Sequence, residues 1–311
     1  MNHSISMIRT IVFANPGAVL LEVGRLKGLF SNEGLDVKVE TTPSSVYMMT
    51  HLIDGTYEIA ATAIDNLIAY AEGQGAAPTK SDPDLIAFMG NPSYRLPFVV
   101  NPDIRGWQDL KGQKIAVDAL STGFAFLLRK VLDDNGLHER DYVFEPVGAP
   151  KERWEALEAG THAGTLLTDQ FVAVARNRGF HVLRAEPDPW ENYQGAVQVV
   201  RRNWAKENAP TLKRYIRAYL EAAKWTLDAA NLQELLVILM QYMPQLDEAR
   251  VTKIARELQG PDSIIKPDMA ISVEGVKSVL ELRSRYGRPR KQLDDPFKYL
   301  DLSYYKEIMN S

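Results

Sequence analysis

The chain has 311 residues, no cysteine and an apolar share of 45%. That composition supports a sizeable core in one large or two medium domains, and it excludes disulfides, thiol nucleophiles and thiolate metal sites. With a net charge of −4 and its Lys and Arg dispersed, the chain offers no phosphate-tracking face, which excludes nucleic acid as a partner.

The first residues, Met1 to Arg9, carry neither an apolar stretch nor a cleavage site, and no run approaches membrane-spanning length. Ile8 to Phe13 predicts a strand. Asn15-Pro16-Gly17-Ala18 is a turn, and Val19 to Gly28 has helical spacing. A second strand runs to Val39, Thr42-Pro43-Ser44-Ser45 turns, and Val46 to Ile53 predicts a short helix closed by Asp54-Gly55. Tyr57 to Ala61 predicts the third strand. Thr62 to Asn66 is expected as a loop before a helix from Leu67 to Glu72. Alternation of strand and helix over short connections argues for an α/β fold with a mostly parallel sheet.

Leu85 to Met89 and Leu96 to Val100 predict strands on either side of Gly90 to Arg95. The next unit, Lys114 to Gly136, is the centre of the chain. Ile115 to Val117 is a buried strand, Ser121 or Thr122 caps a helix, and Gly123 lets backbone come close to a ligand. Phe124, Leu127, Leu128, Val131 and Leu132 recur at helical spacing. Such a helix start after a parallel strand leaves free N–H groups above the sheet, where small ligands bind in open α/β folds. Strands at Tyr142 to Pro146, Gly164 to Leu167, Phe180 to Ala185 and Ala196 to Val200 alternate with helices at Lys151 to Glu158 and Phe171 to Asn177. From Arg202 onward the pattern is helical.

Several of these stretches resemble the bacterial solute-binding proteins of ABC importers. The strand and Pro-Gly-Ala turn, the block from Lys27 to Val37 (KGLFSNEGLDV), the Pro-Ser-Ser turn, and Leu52 to Ala60 (LIDGTYEIA) carry the likeness. It is closest to the NMT1/THI5-like group, whose members bind nitrate, sulfonates, taurine and thiamine-pyrimidine precursors. Trp107 to Val117 is similar to that group's passage into its second domain, and Ser121 to Phe124 to its second-domain ligand loop. The resemblance implies a two-lobed periplasmic-binding-protein fold of type II. Lobe one is then 1–98 plus 200–311, lobe two is 99–199, and a ligand cleft lies between them. Asp295 to Asp301 resembles the group's C-terminal tail, which lies back on the lobes. The implied function is capture of a small polar or aromatic solute for an ABC permease, in the periplasm or tethered to the membrane after export. Hinge closure around the solute would present the closed form to the permease.

The candidate pocket is the set of strand-end turns: Asn15, Gly17, Ser44, Ser45, Asp65, Asn66, Tyr94, Arg95, Ser121, Thr122, Gly123, Phe124, Asp169 and Trp190. Hydroxyls, amides and helix starts hold a small polar molecule by directed hydrogen bonds. Asp65, Asp118 and Asp169 would favour an amine-bearing ligand, whereas Arg95 would clamp a carboxylate or sulfonate. Phe124 and Trp190 are placed to stack on an aromatic ring. The five histidines show no metal-ligand spacing, and there is no Walker loop, dinucleotide fingerprint or nucleophile elbow. No catalytic residue, cofactor or metal is therefore expected, and oligomeric state is not legible. The alternative is a cysteine-independent cytoplasmic enzyme, a decarboxylase or hydrolase using His51 and Asp65 on a small aromatic or heterocyclic substrate.

Overall fold

The computed structural model describes residues 5–93 and 95–311, with backbone alone at 169 and 170. In chain order, Ser6–Val12 (β1) leads through a short turn to Val19–Leu26 (α1). Gly28, at φ +70°, takes the left-handed conformation that ends α1, and one further turn, Leu29–Asn32 (α2), precedes Leu35–Thr41 (β2). Ser45–Ile53 (α3), Ile59–Ala63 (β3), Ile64–Ala71 (α4) and Leu85–Gly90 (β4) follow. The strand β3 runs to Ala63 and α4 begins at once, so Asp65 and Asn66 stand in a first helical turn rather than in the expected loop. An acidic side chain there meets the positive end of the helix.

Phe98–Val100 (β5), Lys114–Val117 (β6), Gly123–Asp134 (α5), Val143–Pro146 (β7) and Pro150–Glu158 (α6) come next. They are followed by Gly164–Leu166 (β8), Asp169–Asn177 (α7) and His181–Leu183 (β9). Ala196–Arg201 (β10) precedes the helices Arg202–Glu207 (α8), Ala209–Leu227 (α9), Leu232–Tyr242 (α10), Glu248–Gln259 (α11), Val273–Tyr286 (α12) and Ser303–Met309 (α13).

The chain forms two compact units. The first is Met1–Ser93, Gly195–Val273 and Asp295–Ser311; the second is Tyr94–Gln194 and Glu274–Asp294. The joins lie a few residues before those expected from the sequence, because β10 pairs with β3 and β4 in the first unit's sheet. The segment 274–294 joins the second unit because Leu282 of α12 packs on Phe126 and Leu127 of α5.

The first unit's sheet has the order β2-β1-β3-β10-β4 and the second unit's β7-β6-β8-β5-β9. In each, one strand is inverted. That strand is β10 in the first sheet, antiparallel to β3 and β4, and β5 in the second, antiparallel to β8 and β9. The inverted β5 is the first strand laid down in the second unit, and β10 is the first after the chain returns to the first unit.

The first core gathers Ile8, Ile59, Phe88 and Val200 from the sheet under Tyr215, Ile216 and Tyr219 of α9. The second gathers Phe98, Ile115, Val117, Leu128 and Leu132. The C-terminal segment returns to the first unit, where Leu300 bridges to Ala87 beside β4. The helix α13 buries Tyr304 there.

Candidate ligand-binding site

Register decides which strand ends share an edge. In the first unit Val12 aligns with Thr41 of β2 and with Ala61 of β3, so the turns after β1, β2 and β3 leave the same edge of the sheet. Asn15 caps the turn after β1. Its Oδ1 accepts from the Ala18 amide at 3.2 Å, and its Nδ2 donates to the Phe13 carbonyl at 3.0 Å. Gly17 is obligatory there, since a Cβ would lie 2.6 Å from the Cβ of Pro92. Ser44 caps α3 by accepting from the Tyr47 amide at 3.1 Å, with Ser45 as the first helical residue. Asp65 is 3% exposed, and Asn66 Nδ2 donates to Thr62 Oγ1 at 3.0 Å.

Behind this edge lies a buried polar knot that sequence reasoning missed. Asn91, just past β4, accepts at Oδ1 from Tyr219 Oη at 2.6 Å and from Gln198 Nε2 at 3.0 Å. Its members are far apart in sequence, so no local signal marks it.

In the second unit Val117 aligns with Pro146 of β7, and Ala116 with Thr165 of β8. Asp118, Gly148 and Thr168 therefore follow adjacent strands at one edge. Thr122 caps α5, accepting from the Ala125 amide at 3.2 Å, and its hydroxyl donates to Asp118 Oδ1 at 2.8 Å. Burial pushes the Asp118 carboxyl above its ordinary value, against the lowering pull of Arg153 and of the Thr122 bond. Arg153 on α6 is 4% exposed, and its Nη1 donates to the Gly148 carbonyl at 3.1 Å. Burial holds the Arg153 guanidinium below its ordinary value, opposed by Asp118 and Glu152. Ser121 offers its carbonyl to Arg283 Nη2 at 3.0 Å, and Gly123 is buried as the first residue of α5.

Phe124 stands 5.8 Å from Trp190, ring centre to ring centre, and Trp190 meets Tyr193 edge-on at 5.5 Å. Arg95 does not present an open fork, because its Nη1 pairs with Asp188 Oδ2 at 2.6 Å on the surface. Arg95, Asp188 and Trp190 line a cavity of about 280 Å³ floored by Phe98, Leu128 and Val131. Tyr94 and the side chain of Asp169 lie outside the described residues.

His51 lies on α3 with one ring nitrogen engaged. Its Nδ1 donates to the Tyr47 carbonyl at 2.8 Å, and its ring stacks on Tyr47 at 3.9 Å. Among the described residues no group of three His, Asp or Glu side chains is placed to hold a metal ion.

Residues 13–240 match the model of the NMT1-like family. The chain belongs to that family. The sequence matches no curated protein. Among solved structures, a protein of Bordetella bronchiseptica RB50 is 22% identical, with a TM-score of 0.74 over 98% of this chain and 97% of that one. The periplasmic aliphatic sulphonate binding protein SsuA from Escherichia coli is 19% identical, with a TM-score of 0.72 over 96% of this chain and 92% of that one. The desulfurization enzyme DSZB is 12% identical, with a TM-score of 0.64 over 97% of this chain and 99% of that one. These likenesses establish a two-lobed periplasmic-binding-protein fold for this NMT1-like chain. Arg153 and Thr168, beside the strand-end turns of the second unit, are polar residues that sequence reasoning passed over. The available signal was their position, each just beyond a strand-end turn.

Proposed function

We propose that this NMT1-like protein is the solute-binding component of an ABC importer. It takes a small polar or aromatic organic solute and hands it unchanged to a permease outside the cytoplasm. The observation that carries the reading is the family match combined with the gathering of polar groups at strand ends. Asn15, Ser44 and Asp65 share the carboxyl edge of one sheet, and Asp118 and Thr122 stand at that of the other. Carboxyl edges of open α/β sheets are where such folds hold small ligands. Among the described residues no helix is long and apolar enough to cross a membrane.

A second reading, an enzyme on the same fold, has the likeness to the desulfurization enzyme in its favour. With no cysteine in the chain, a cysteine-based mechanism is excluded. The fate of the bound solute separates the two readings.

The test is a thermal-shift screen against sulfonates, aromatic acids, pyrimidines and polyamines. A ligand at about 100 times its Kd adds roughly 2.7 kcal/mol of stability. The solute is then recovered and analysed. Recovery unchanged supports transport, and consumption sinks it in favour of the enzyme. Asp65→Ala and Thr122→Ala are each expected to weaken binding of the hit. Thr122→Ala also costs about 1 kcal/mol of stability without ligand, from the lost cap. Unchanged affinity in both variants would remove these residues from the site.

A further inference from the structure

We infer that Asn91 is a solute-contacting residue of the first unit, its side-chain amide fixed so that it donates to a hydrogen-bond acceptor on the solute. The inference rests on the solute-binding reading. It names the group that the solute turns toward this unit: an acceptor such as a carbonyl or ring nitrogen, not a donor such as an ammonium.

Counting hydrogen bonds fixes the amide. An asparagine side chain has two lone pairs on Oδ1 and two N–H groups on Nδ2. Both lone pairs of Asn91 are taken, by Tyr219 Oη at 2.6 Å and by Gln198 Nε2 at 3.0 Å. Gln198 is fully buried, and its own amide is held by the buried phenol of Tyr215, which donates to Oε1 at 3.4 Å. A reversed Asn91 would set its NH2 against the NH2 of Gln198, donor against donor. The two N–H groups of Nδ2 are therefore the end left over. Nδ2 makes no hydrogen bond among the described residues, yet it is not among the buried polar atoms without a partner, so it stays open to solvent.

The backbone sets that donor at the ligand edge. The strands β3 and β4 both run against β10, so they are parallel to one another. Asn91, the residue after β4, therefore leaves the carboxyl edge that carries the turns after β1, β2 and β3. Pro92 sits against Gly17 in the turn after β1. The segment is pinned on both sides. The Gly90 amide donates to the Met269 carbonyl at 2.7 Å, the Asn91 amide donates to the Ala196 carbonyl at 3.2 Å, and Ser93 Oγ accepts from the Ala196 amide at 2.7 Å. A donor held this firmly meets a solute without first being ordered. It also discriminates, because a site built to hydrogen-bond one group rejects an analogue that lacks it.

The experiment is calorimetric titration with three probes on one ring: acetophenone, which offers only an acceptor, ethylbenzene, which offers neither acceptor nor donor, and benzylamine, whose ammonium offers only donors. The wild-type protein is expected to bind acetophenone roughly three- to tenfold more tightly than ethylbenzene, the worth of one net hydrogen bond. Asn91→Asp is nearly isosteric. One of its oxygens keeps the bonds from Tyr219 and Gln198, and the other puts an acceptor where the donor stood. The acetophenone preference should then vanish, and benzylamine should gain relative to wild type. Tyr219→Phe removes one of the two bonds that hold the amide and should narrow the ratio of acetophenone to ethylbenzene affinity. A merely structural role would lower the melting temperature and leave that ratio alone. If Asn91→Asp does not fold, the wild-type ratio and Tyr219→Phe decide the matter. Equal binding of acetophenone and ethylbenzene to wild type, silence of acetophenone, or a ratio unmoved by both variants overturns the inference. Solute binding itself would survive that result wherever a hit from the thermal-shift panel is recovered unchanged. Consumption of a probe or a hit would instead strike the solute-binding reading.

Discussion

Asp118 concentrates the electrostatics of the second unit in one carboxyl. Its folded-state pKa lies above the ordinary value because burial outweighs the help of Arg153 and Thr122. A raised pKa means that the folded state favours the protonated acid. The associated stability is complete below the ordinary carboxylate value and is lost as pH rises through the raised one. Asp118→Asn imitates the protonated acid, and its amide oxygen can still accept from Thr122. The melting temperature of the variant relative to wild type should therefore rise between about pH 4 and pH 7. Thermal melts across that range check it, and a difference that is flat or falls with pH would refute the burial argument. Asp118 also marks a limit of sequence reading. A strand-end Asp followed by Ser-Thr-Gly signals a polar turn, but the counter-charge on α6 lies 35 residues further on and has no local signature.

At the scale of elements, α9 shows what was legible and what was not. The spacing of Tyr215, Ile216, Tyr219, Leu220 and Ala223 marks one apolar face, and all five are buried. The short apolar runs of β4 and β6 were equally plain, because strands covered on both faces are continuously apolar. The hydroxyl of Tyr219 was not legible as a partner, since Asn91 lies 128 residues away. Nor did composition reveal that β5 and β10 run against their neighbours, because an inverted strand has the same apolar pattern as a parallel one. Tyr219→Phe tests the knot that ties α9 to the sheet. It removes a 2.6 Å bond to Asn91 Oδ1, which keeps Gln198 Nε2 as a donor. The expected cost is about 1 kcal/mol. An unchanged thermal midpoint would show that the phenol contributes nothing.

At the scale of the whole molecule, the path of the chain makes the last 17 residues structural, since Asp295–Ser311 returns to the first unit. Tyr299, Leu300 and Tyr304 are each less than a tenth exposed there, and full burial of such side chains contributes about 1.5–3 kcal/mol apiece. Glu72, itself 4% exposed, accepts from Tyr299 Oη at 2.8 Å and pairs with Lys298. Removing the segment strips this buried carboxylate of two partners, a loss on the order of 3 kcal/mol by itself. Together these terms rival the usual 5–15 kcal/mol that separates a folded domain from its unfolded chain. Truncation after Asp294 is therefore expected to lower the melting temperature by at least about 10 °C or to prevent soluble expression. A milder pair of variants keeps the question answerable if the truncated chain does not fold. Glu72→Gln leaves an acceptor for Tyr299 without a buried charge, and Lys298→Met keeps the aliphatic stem without the ammonium. Lys298→Met alone should destabilise more than the double variant, because only the single change leaves the charge of Glu72 without its cation. Equal melting of the single variant, the double variant and the wild type would show that the returning segment is held by its apolar contacts alone.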